Sequence, residues 1–176
     1  MSEPLFTATL PSPIGPLTLV ASDEGLRALH FPKSTPAALP EGATEDPAHP
    51  ILAQAIDELN EYFVGTRTTF EVPLDPKGTP FQMEVWLLLR DIPYGTTTTY
   101  DALARLMGHP NKARAVGMAN ARNPVGIILP CHRVIGSSGA LTGFAGGIET
   151  KSFLLQWEQQ RGRGQVQIAT QGNLFG

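Results

Sequence analysis

A change of pattern at Asp75-Pro76-Lys77-Gly78 restricts the fold of this 176-residue chain more than any other feature. Short apolar runs separated by turn formers precede it, and helical patterns follow it. A chain of this length suffices for one large domain or two small ones. We therefore predict an α+β protein with an N-terminal domain over residues 1–75, a mostly helical domain over 79–158 and a flexible tail over 159–176.

Three short apolar runs in the first half have the length and composition of strands. They are Phe6–Leu10, Leu17–Ala21 and Leu26–Phe31. Apolar residues at helical spacing predict a helix over 51–63, and residues 68–74 predict one more strand. Residues 32–50 are rich in Pro, Ala and acidic side chains, which predicts an irregular surface loop. The N-terminal domain is therefore expected to be a small antiparallel sheet with a helix.

Helix start and stop signals recur after Gly78. The predicted caps and helices are Thr79 before a helix from Pro80, Thr99 before 100–107, and Asn111 before 112–121. Because the tight turn Gly108-His109-Pro110 separates the second helix from the third, these two helices are a helix-turn-helix candidate. A last helix is predicted over 150–157.

The net charge of −3 is distributed unevenly along the chain. Residues 1–78 contain four Lys or Arg and eleven Asp or Glu, which gives −7. Residues 79–163 contain nine Lys or Arg and five Asp or Glu, which gives +4. The second half is therefore suited to meet a polyanion such as nucleic acid, and the first half is not.

Cysteine and histidine usage limits the possible chemistry. The single cysteine, Cys131, excludes an internal disulfide and a multi-cysteine zinc site, and the four histidines lack metal-ligand spacing. We therefore predict no metal site. There is no apolar run of about 20 residues and no basic N-terminal leader, so we expect a cytoplasmic protein without a membrane span.

The segment Pro130-Cys131-His132-Arg133 has the residue types of a thiol site. A thiol attacks as its thiolate, so a nucleophilic cysteine benefits from a nearby base and from positive charge. Neighbouring residues in an extended segment point to opposite faces, so His132 is expected to reach the sulfur through a water. A carboxylate behind the imidazole would fix its tautomer and raise its basicity.

With Asn123-Pro124 before it and Val134 after it, this segment resembles the active-site signature of the O6-alkylguanine-DNA alkyltransferases. The resemblance covers about 80 contiguous residues in order and spacing. The matching upstream segments are Gly78–Gln82, Tyr94-Gly95, Thr99-Tyr100 and Lys112–Gly117. The matching downstream segments are Ser137–Gly139, Gly146-Gly147, Lys151 and Leu154–Glu158. Ser12–Leu17 and Ser22–Leu26 resemble the family's N-terminal sheet, which implies a ribonuclease H-like fold there.

The resemblance implies a role for each matching residue near the thiol. Cys131 would accept the alkyl group, and His132 would take the thiol proton through a water, with Glu158 orienting the imidazole. Tyr100 would donate a hydrogen bond to the guanine O6. Asn123 would brace the segment between the helix-turn-helix and the active-site strand.

The resemblance also implies a DNA surface on the third helix and at its neighbour's start. Arg114 would fill the space that a flipped nucleotide leaves, since a planar guanidinium stacks well on bases. The small residues of the third helix would allow close approach to a groove, and Thr99 would contact DNA nearby. The small residues in question are Ala113, Ala115 and Gly117.

The resemblance also implies which residues form the substrate pocket. The backbone at Cys131, Val134 and Ala145 would read the guanine edge, and Lys151 would position the loop that carries residues 143–145. Phe144-Ala145 stands where many relatives carry Tyr-Ser, so side-chain contacts to the substrate are fewer here. The zinc-binding and regulatory cysteines of some relatives are missing.

The implied function is DNA repair by irreversible, single-turnover transfer of the alkyl group of O6-alkylguanine, and also of O4-alkylthymine, to Cys131. No cofactor is expected, and the partner is double-stranded DNA bound by a monomer associated with the nucleoid. The alternatives are a lesion sensor without transfer, a helix-turn-helix regulator and a cysteine hydrolase. The tail residues Gln171, Leu174 and Phe175 resemble peptides that dock on the bacterial sliding clamp.

Overall fold

A computed structural model describes residues 3–32, 39–141, 144 and 146–162 of the chain. The chain divides into two compact units, residues 1–77 and 78–176, so the break falls inside the predicted boundary segment. No helix in the described part is long and apolar enough to cross a bilayer. The predicted clamp-docking residues Gln171, Leu174 and Phe175 lie outside the described residues.

The first unit is built on a mixed four-stranded sheet in the order β3-β2-β1-β4. The strands are β1 (Phe6–Leu10), β2 (Leu17–Ala21), β3 (Leu26–His30) and β4 (Thr44–Glu45). The predicted antiparallel meander of β1, β2 and β3 is confirmed. Strand β4 pairs parallel with β1, and its two residues lie in the segment that we predicted to be irregular.

The strand predicted over residues 68–74 is wrong. In this segment the only ladder contact is an isolated bridge between Leu26 and Leu74. The amides of Glu71 and Val72 donate instead to one carboxylate oxygen of Glu58, each at 3.0 Å. Because a buried side chain satisfies these two donors, no neighbouring strand is needed there.

Helix α1 (Pro50–Val64) supplies the rest of the first core. It begins where His49 Nδ1 accepts from the Ile51 amide at 3.2 Å. It ends at Gly65, whose φ of 90° is a left-handed conformation that glycine adopts without strain. Its fully buried face packs on the sheet through residues such as Leu52 and Leu59, which are 0% exposed.

The second unit begins with α2 (Pro80–Leu89), α3 (Tyr100–Leu106) and α4 (Ala113–Ala121). The predicted caps Thr79 and Thr99 are confirmed, and Thr79 forms a reciprocal capping box with Gln82. The predicted cap Asn111 is wrong. Lys112 occupies the cap position of α4 without a side-chain bond, and its backbone carbonyl accepts from the Val116 amide.

A short parallel ladder and a long helix complete the second unit. Strand β5 (Thr98–Thr99) pairs with β6 (Val134–Ile135) in parallel register. Helix α5 (Ile148–Gly162) is longer than the predicted 150–157, so residues 159–162 are helical and not part of a flexible tail. Gly95 has no side chain, which allows the end of α5 to approach its backbone closely. A Cβ at this position would lie 3.4 Å from Gly162 Cα.

Candidate active site and nucleic-acid surface

The thiol lies on a 3₁₀ turn over Cys131–Arg133, and not on the extended segment that we predicted. The Cys131 amide donates to Leu129 O at 2.7 Å, and the Arg133 amide donates to Pro130 O at 2.9 Å. The Val134 amide donates to Cys131 O and ends the turn. Since Cys131 and His132 belong to one tight turn, the expectation that they point to opposite faces does not apply.

Asn123 holds the chain that leads from α4 to this turn. Its Nδ2 donates to Leu129 O at 2.7 Å, and its Oδ1 accepts from the Val125 amide at 3.0 Å. Between these two bonds Ile127 has a φ of 71°, which is rare for a β-branched residue. The two hydrogen bonds of the Asn123 side chain therefore hold the ends of a segment whose backbone is strained at Ile127.

His132 and Arg133 both bond to one carboxylate. His132 Nε2 lies 2.7 Å from Glu158 Oε2, and Arg133 Nε donates to Glu158 Oε1 at 2.7 Å. Arg133 also donates to Glu158 Oε2 at 3.0 Å and to Ile92 O at 2.6 Å. All three side chains are buried, and Arg133 pairs with Glu158 in the bidentate geometry that makes such pairs strong.

The charges of this cluster fix the tautomer of His132. Burial alone would raise the pKa of Glu158, but His132 and Arg133 hold it well below its usual range. Burial lowers the pKa of His132 despite the attraction of Glu158. The neutral imidazole therefore carries its proton on Nε2, toward the carboxylate, and Nδ1 has no hydrogen-bond partner among the described residues.

The Cys131 side chain is buried, at 4% exposure. Burial raises the pKa of its thiol to about 11, although a hydrogen bond from Asn123 and the charge of Lys151 oppose the shift. The resting thiol is therefore protonated at neutral pH. Our expectation that nearby positive charge would favour the thiolate underestimated the cost of burying an anion.

Lys151 is fully buried in α5. Its Nζ donates to Val134 O at 2.6 Å and lies 5.9 Å from the centre of the Tyr100 ring. Burial lowers its pKa to about 8, and the thiol opposes this shift. The described contacts of Lys151 are therefore to β6 and α3. Of the loop that we expected it to position, Phe144 is described and half-buried, whereas Gly143 and Ala145 lie outside the described residues.

Helix α4 presents a surface of small side chains around one exposed arginine, Arg114. Ala113 and Ala115 flank it and are half-buried. On the neighbouring side of the helix, a Cβ on Gly117 would lie 3.6 Å from the Tyr100 ring. Thr99, at the start of α3, uses its hydroxyl to cap that helix.

A groove of about 740 Å³ runs along this surface. It is lined by residues of α2, α3 and α4, including Phe81, Lys112, Arg114 and Met118. Lys112 Nζ lies 5.7 Å from the centre of the Phe81 ring. Two cations, Lys112 and Arg114, and one carboxylate, Asp101, line the groove, so its formal charge is positive, which suits a nucleic-acid backbone.

The structure brings together Cys131, His132, Glu158, Asn123 and Lys151, as expected from the sequence. Two further residues of the site were missed. Arg133 was considered only as a source of positive charge, and its bond to Glu158 has no sequence signal. Asn120, which is buried in α4, donates to Cys131 O at 3.3 Å. In the part of the chain that the structure describes, no group of three or more His, Cys, Asp or Glu is placed to hold a metal.

Comparison with known proteins defines the class. Residues 80–160 match the DNA-binding domain of 6-O-methylguanine DNA methyltransferase, and residues 5–76 match the ribonuclease-like domain of the same family. The methylated-DNA–protein-cysteine methyltransferase of Mycobacterium tuberculosis is 48% identical over 153 residues, covering 87% of this chain and 92% of the relative. That of Methanosarcina acetivorans is 44% identical over 155 residues, covering 88% and 98%.

Solved structures agree with the sequence comparison. The crystal structure of the M. tuberculosis O6-methylguanine methyltransferase superposes with a TM-score of 0.83 at 47% identity, covering 89% of this chain and 94% of that one. A structure of the M. tuberculosis protein in complex with DNA superposes with a TM-score of 0.82.

The chain belongs to the methylated-DNA–protein-cysteine methyltransferase family. Its function is DNA repair by transfer of the alkyl group of O6-methylguanine to a cysteine, and Cys131 is that cysteine. The N-terminal ribonuclease-like sheet and the helical DNA-binding domain that we expected are both confirmed.

Proposed function

We propose that Cys131 Sγ attacks the alkyl carbon while its proton moves, through a water, to Nδ1 of His132. The observation that supports this most directly is that a buried, protonated thiol and an imidazole whose Nδ1 has no described partner are neighbours on one 3₁₀ turn. Glu158, held by Arg133, stabilises the imidazolium that forms. A general base in this position offsets the cost of ionising a buried thiol.

In the same step the S–C bond forms and the C–O6 bond breaks. Guanine leaves with the electron pair of the broken bond, and Tyr100 donates a hydrogen bond to O6 as charge develops there. In the net reaction the thiol proton ends on guanine and the alkyl group on sulfur. The thioether product is stable, so each molecule reacts once.

The substrate that we propose is an O6-alkylguanine, or an O4-alkylthymine, in double-stranded DNA. The reacting oxygen lies inside the base stack, so the nucleotide has to be extruded. The exposed Arg114 fills the vacated space, the small side chains Ala113 and Ala115 allow close approach, and Thr99 contacts the DNA beside them. We propose that Val134, Phe144 and Lys151 form the pocket for the flipped base together with Ala145, which lies outside the described residues. We propose that the protein acts as a monomer in the cytoplasm, at the nucleoid.

The C-terminal Gln171, Leu174 and Phe175 are proposed to dock on the sliding clamp. The support is their sequence, since adjacent apolar anchors after a Gly- and Gln-rich stretch suit a tethering peptide. A titration of the full chain and of a Leu174→Ala/Phe175→Ala variant against purified clamp tests this. Equal binding of the two proteins would remove the proposal.

Intact-mass measurement after incubation with excess O6-methylguanine duplex tests the transfer mechanism. We expect one methyl group per molecule, mapped to Cys131, and no transfer by Cys131→Ala, which still binds DNA. Repeated turnover, or an adduct on another residue, would contradict the mechanism. A lesion sensor would bind the duplex and gain no mass.

A further inference from the structure

We propose that Asn120 is a positioning residue for alkyl transfer, which holds the Cys131 peptide from the DNA-reading helix α4. The inference rests on the proposed function of Cys131. Asn120 is 1% exposed, and its Nδ2 donates to Cys131 O at 3.3 Å. It lies one helical turn before Asn123, which donates to Leu129 O. Two side-chain amides, one in α4 and one just after it, therefore hold the carbonyls on either side of Pro130.

The bond from Asn120 is not needed to satisfy the Cys131 carbonyl. That oxygen already accepts from the Val134 amide within the 3₁₀ turn. Loss of the Asn120 side chain would therefore leave no buried carbonyl without a partner. What the second bond adds is a fixed orientation of the Cys131 peptide, from which the Cα–Cβ bond and the sulfur project.

The burial of Oδ1, the oxygen of the Asn120 side-chain amide, is unfavourable for folding. A carbonyl oxygen can only accept hydrogen bonds, so the Nδ2 group of Asn120 must face Cys131 O. The Oδ1 atom of Asn120 is then left on the opposite side of the side-chain amide. Oδ1 is buried and has no hydrogen-bond partner among the described residues. An apolar side chain of similar size would avoid this desolvation cost. Asn120 therefore brings to the core one redundant bond and one unpaired atom, which a purely structural role does not explain.

The test compares Asn120→Leu with the wild-type full chain in four measurements: thermal unfolding, affinity for O6-methylguanine duplex, maximal single-turnover transfer rate, and thiol alkylation by iodoacetamide. We expect an unfolding temperature that is not lowered, unchanged DNA affinity and unchanged iodoacetamide reaction. We expect the transfer rate to fall about tenfold or more, since small misplacement of a nucleophile is costly. If Asn120→Leu does not fold, Asn120→Ala takes its place in the same comparison.

Thr98→Val is the matched control, because Thr98 Oγ1 is another buried atom without a described partner and does not bond to the Cys131 peptide. This variant should keep the wild-type transfer rate. An unchanged transfer rate in the Asn120 variant overturns the inference, as does a loss of stability that accounts for the lost rate. An equal fall in iodoacetamide reaction would indicate a change in thiol reactivity and also overturn it. Absence of transfer by the wild-type protein would instead contradict the proposed function.

Discussion

His132 Nε2 lies 2.7 Å from Glu158 Oε2, and the two residues are separated by 26 positions in the chain. The 3₁₀ turn presents the imidazole and α5 presents the carboxylate, while Arg133 from the same turn neutralises the other carboxylate oxygen. This arrangement keeps Glu158 ionised in a buried site and leaves His132 Nδ1 available as a base.

Glu158→Gln should lower the single-turnover transfer rate by about 100-fold, the usual contribution of a positioned base. The apparent pKa of the Cys131 thiol should rise, and with it the pH of half-maximal rate, because the imidazolium that takes the thiol proton loses the carboxylate that stabilises it. The measurement is the transfer rate from O6-methylguanine duplex as a function of pH.

Glu149→Gln, which alters an exposed carboxylate of the same helix, is the control for this variant. Its pH profile should match that of the wild type. Circular dichroism must show that Glu158→Gln is folded, since Arg133 loses its buried counter-charge. A folded Glu158→Gln protein with the wild-type profile would remove Glu158 from the mechanism.

The raised pKa of Cys131 predicts how the free protein reacts with iodoacetamide. Because the pKa is about 11, the thiolate fraction is small at neutral pH. The reaction rate should increase about tenfold per pH unit between roughly pH 7 and 10. Free cysteine, with its lower pKa, levels off within this range and serves as the reference, and Cys131→Ser gives the background. A rate that levels off below about pH 8 would show that the thiol is activated before substrate binds.

Arg114→Ala should slow repair of duplex DNA by about 10- to 100-fold, because extrusion of a base costs a few kcal/mol that the guanidinium helps to offset. Transfer from the free O6-methylguanine base should change less than about twofold, since no base has to leave a stack. The salt dependence of DNA affinity should weaken by about one unit of slope. Arg105→Ala removes an exposed arginine from α3 outside the groove, and it should affect neither substrate. Equal losses on both substrates would exclude the proposed role.

Asp75 contributes pH-dependent stability to the N-terminal unit. Burial alone would raise the pKa of its carboxyl, but Arg27, Ser22 and Lys77 lower it from 3.8 to about 2. A depressed pKa stabilises the fold above the unfolded value, and this contribution is lost as the pH falls through the folded value. Asp75→Asn should therefore lower the free energy of unfolding by about 1–3 kcal/mol at pH 7. The loss should become progressively smaller as the pH falls from about 4 to about 2.

Urea unfolding of the full chain at each pH measures this difference, with the exposed Asp57→Asn on α1 as the control. We expect the control to match the wild type at both ends of the range. A cost for Asp75→Asn that stays constant down to about pH 2 would assign its effect to packing and not to charge.

Signals contained within a few residues predicted local structure correctly. Thr79 and Thr99 cap α2 and α3 because each hydroxyl needs only an amide three residues ahead. Asn111 is the exception among these local signals, and the failed strand predictions involve distant partners. Strand β4 consists of two residues whose pairing depends on β1, and residues 71–72 were kept out of a strand by Glu58 from α1.

The sequence by itself determined the family, the order of the helices in the second unit and the reacting residue Cys131, and it predicted His132 and Glu158 as the partners of that cysteine. Only the tertiary structure decided that the thiol lies on a 3₁₀ turn, that Arg133 holds Glu158, and that Asn120 reaches the Cys131 carbonyl. It also decided that the resting thiol is protonated. The physical reason is that burial and charge proximity, which set pKa values and bond partners, arise only when α4, α5 and the turn pack together.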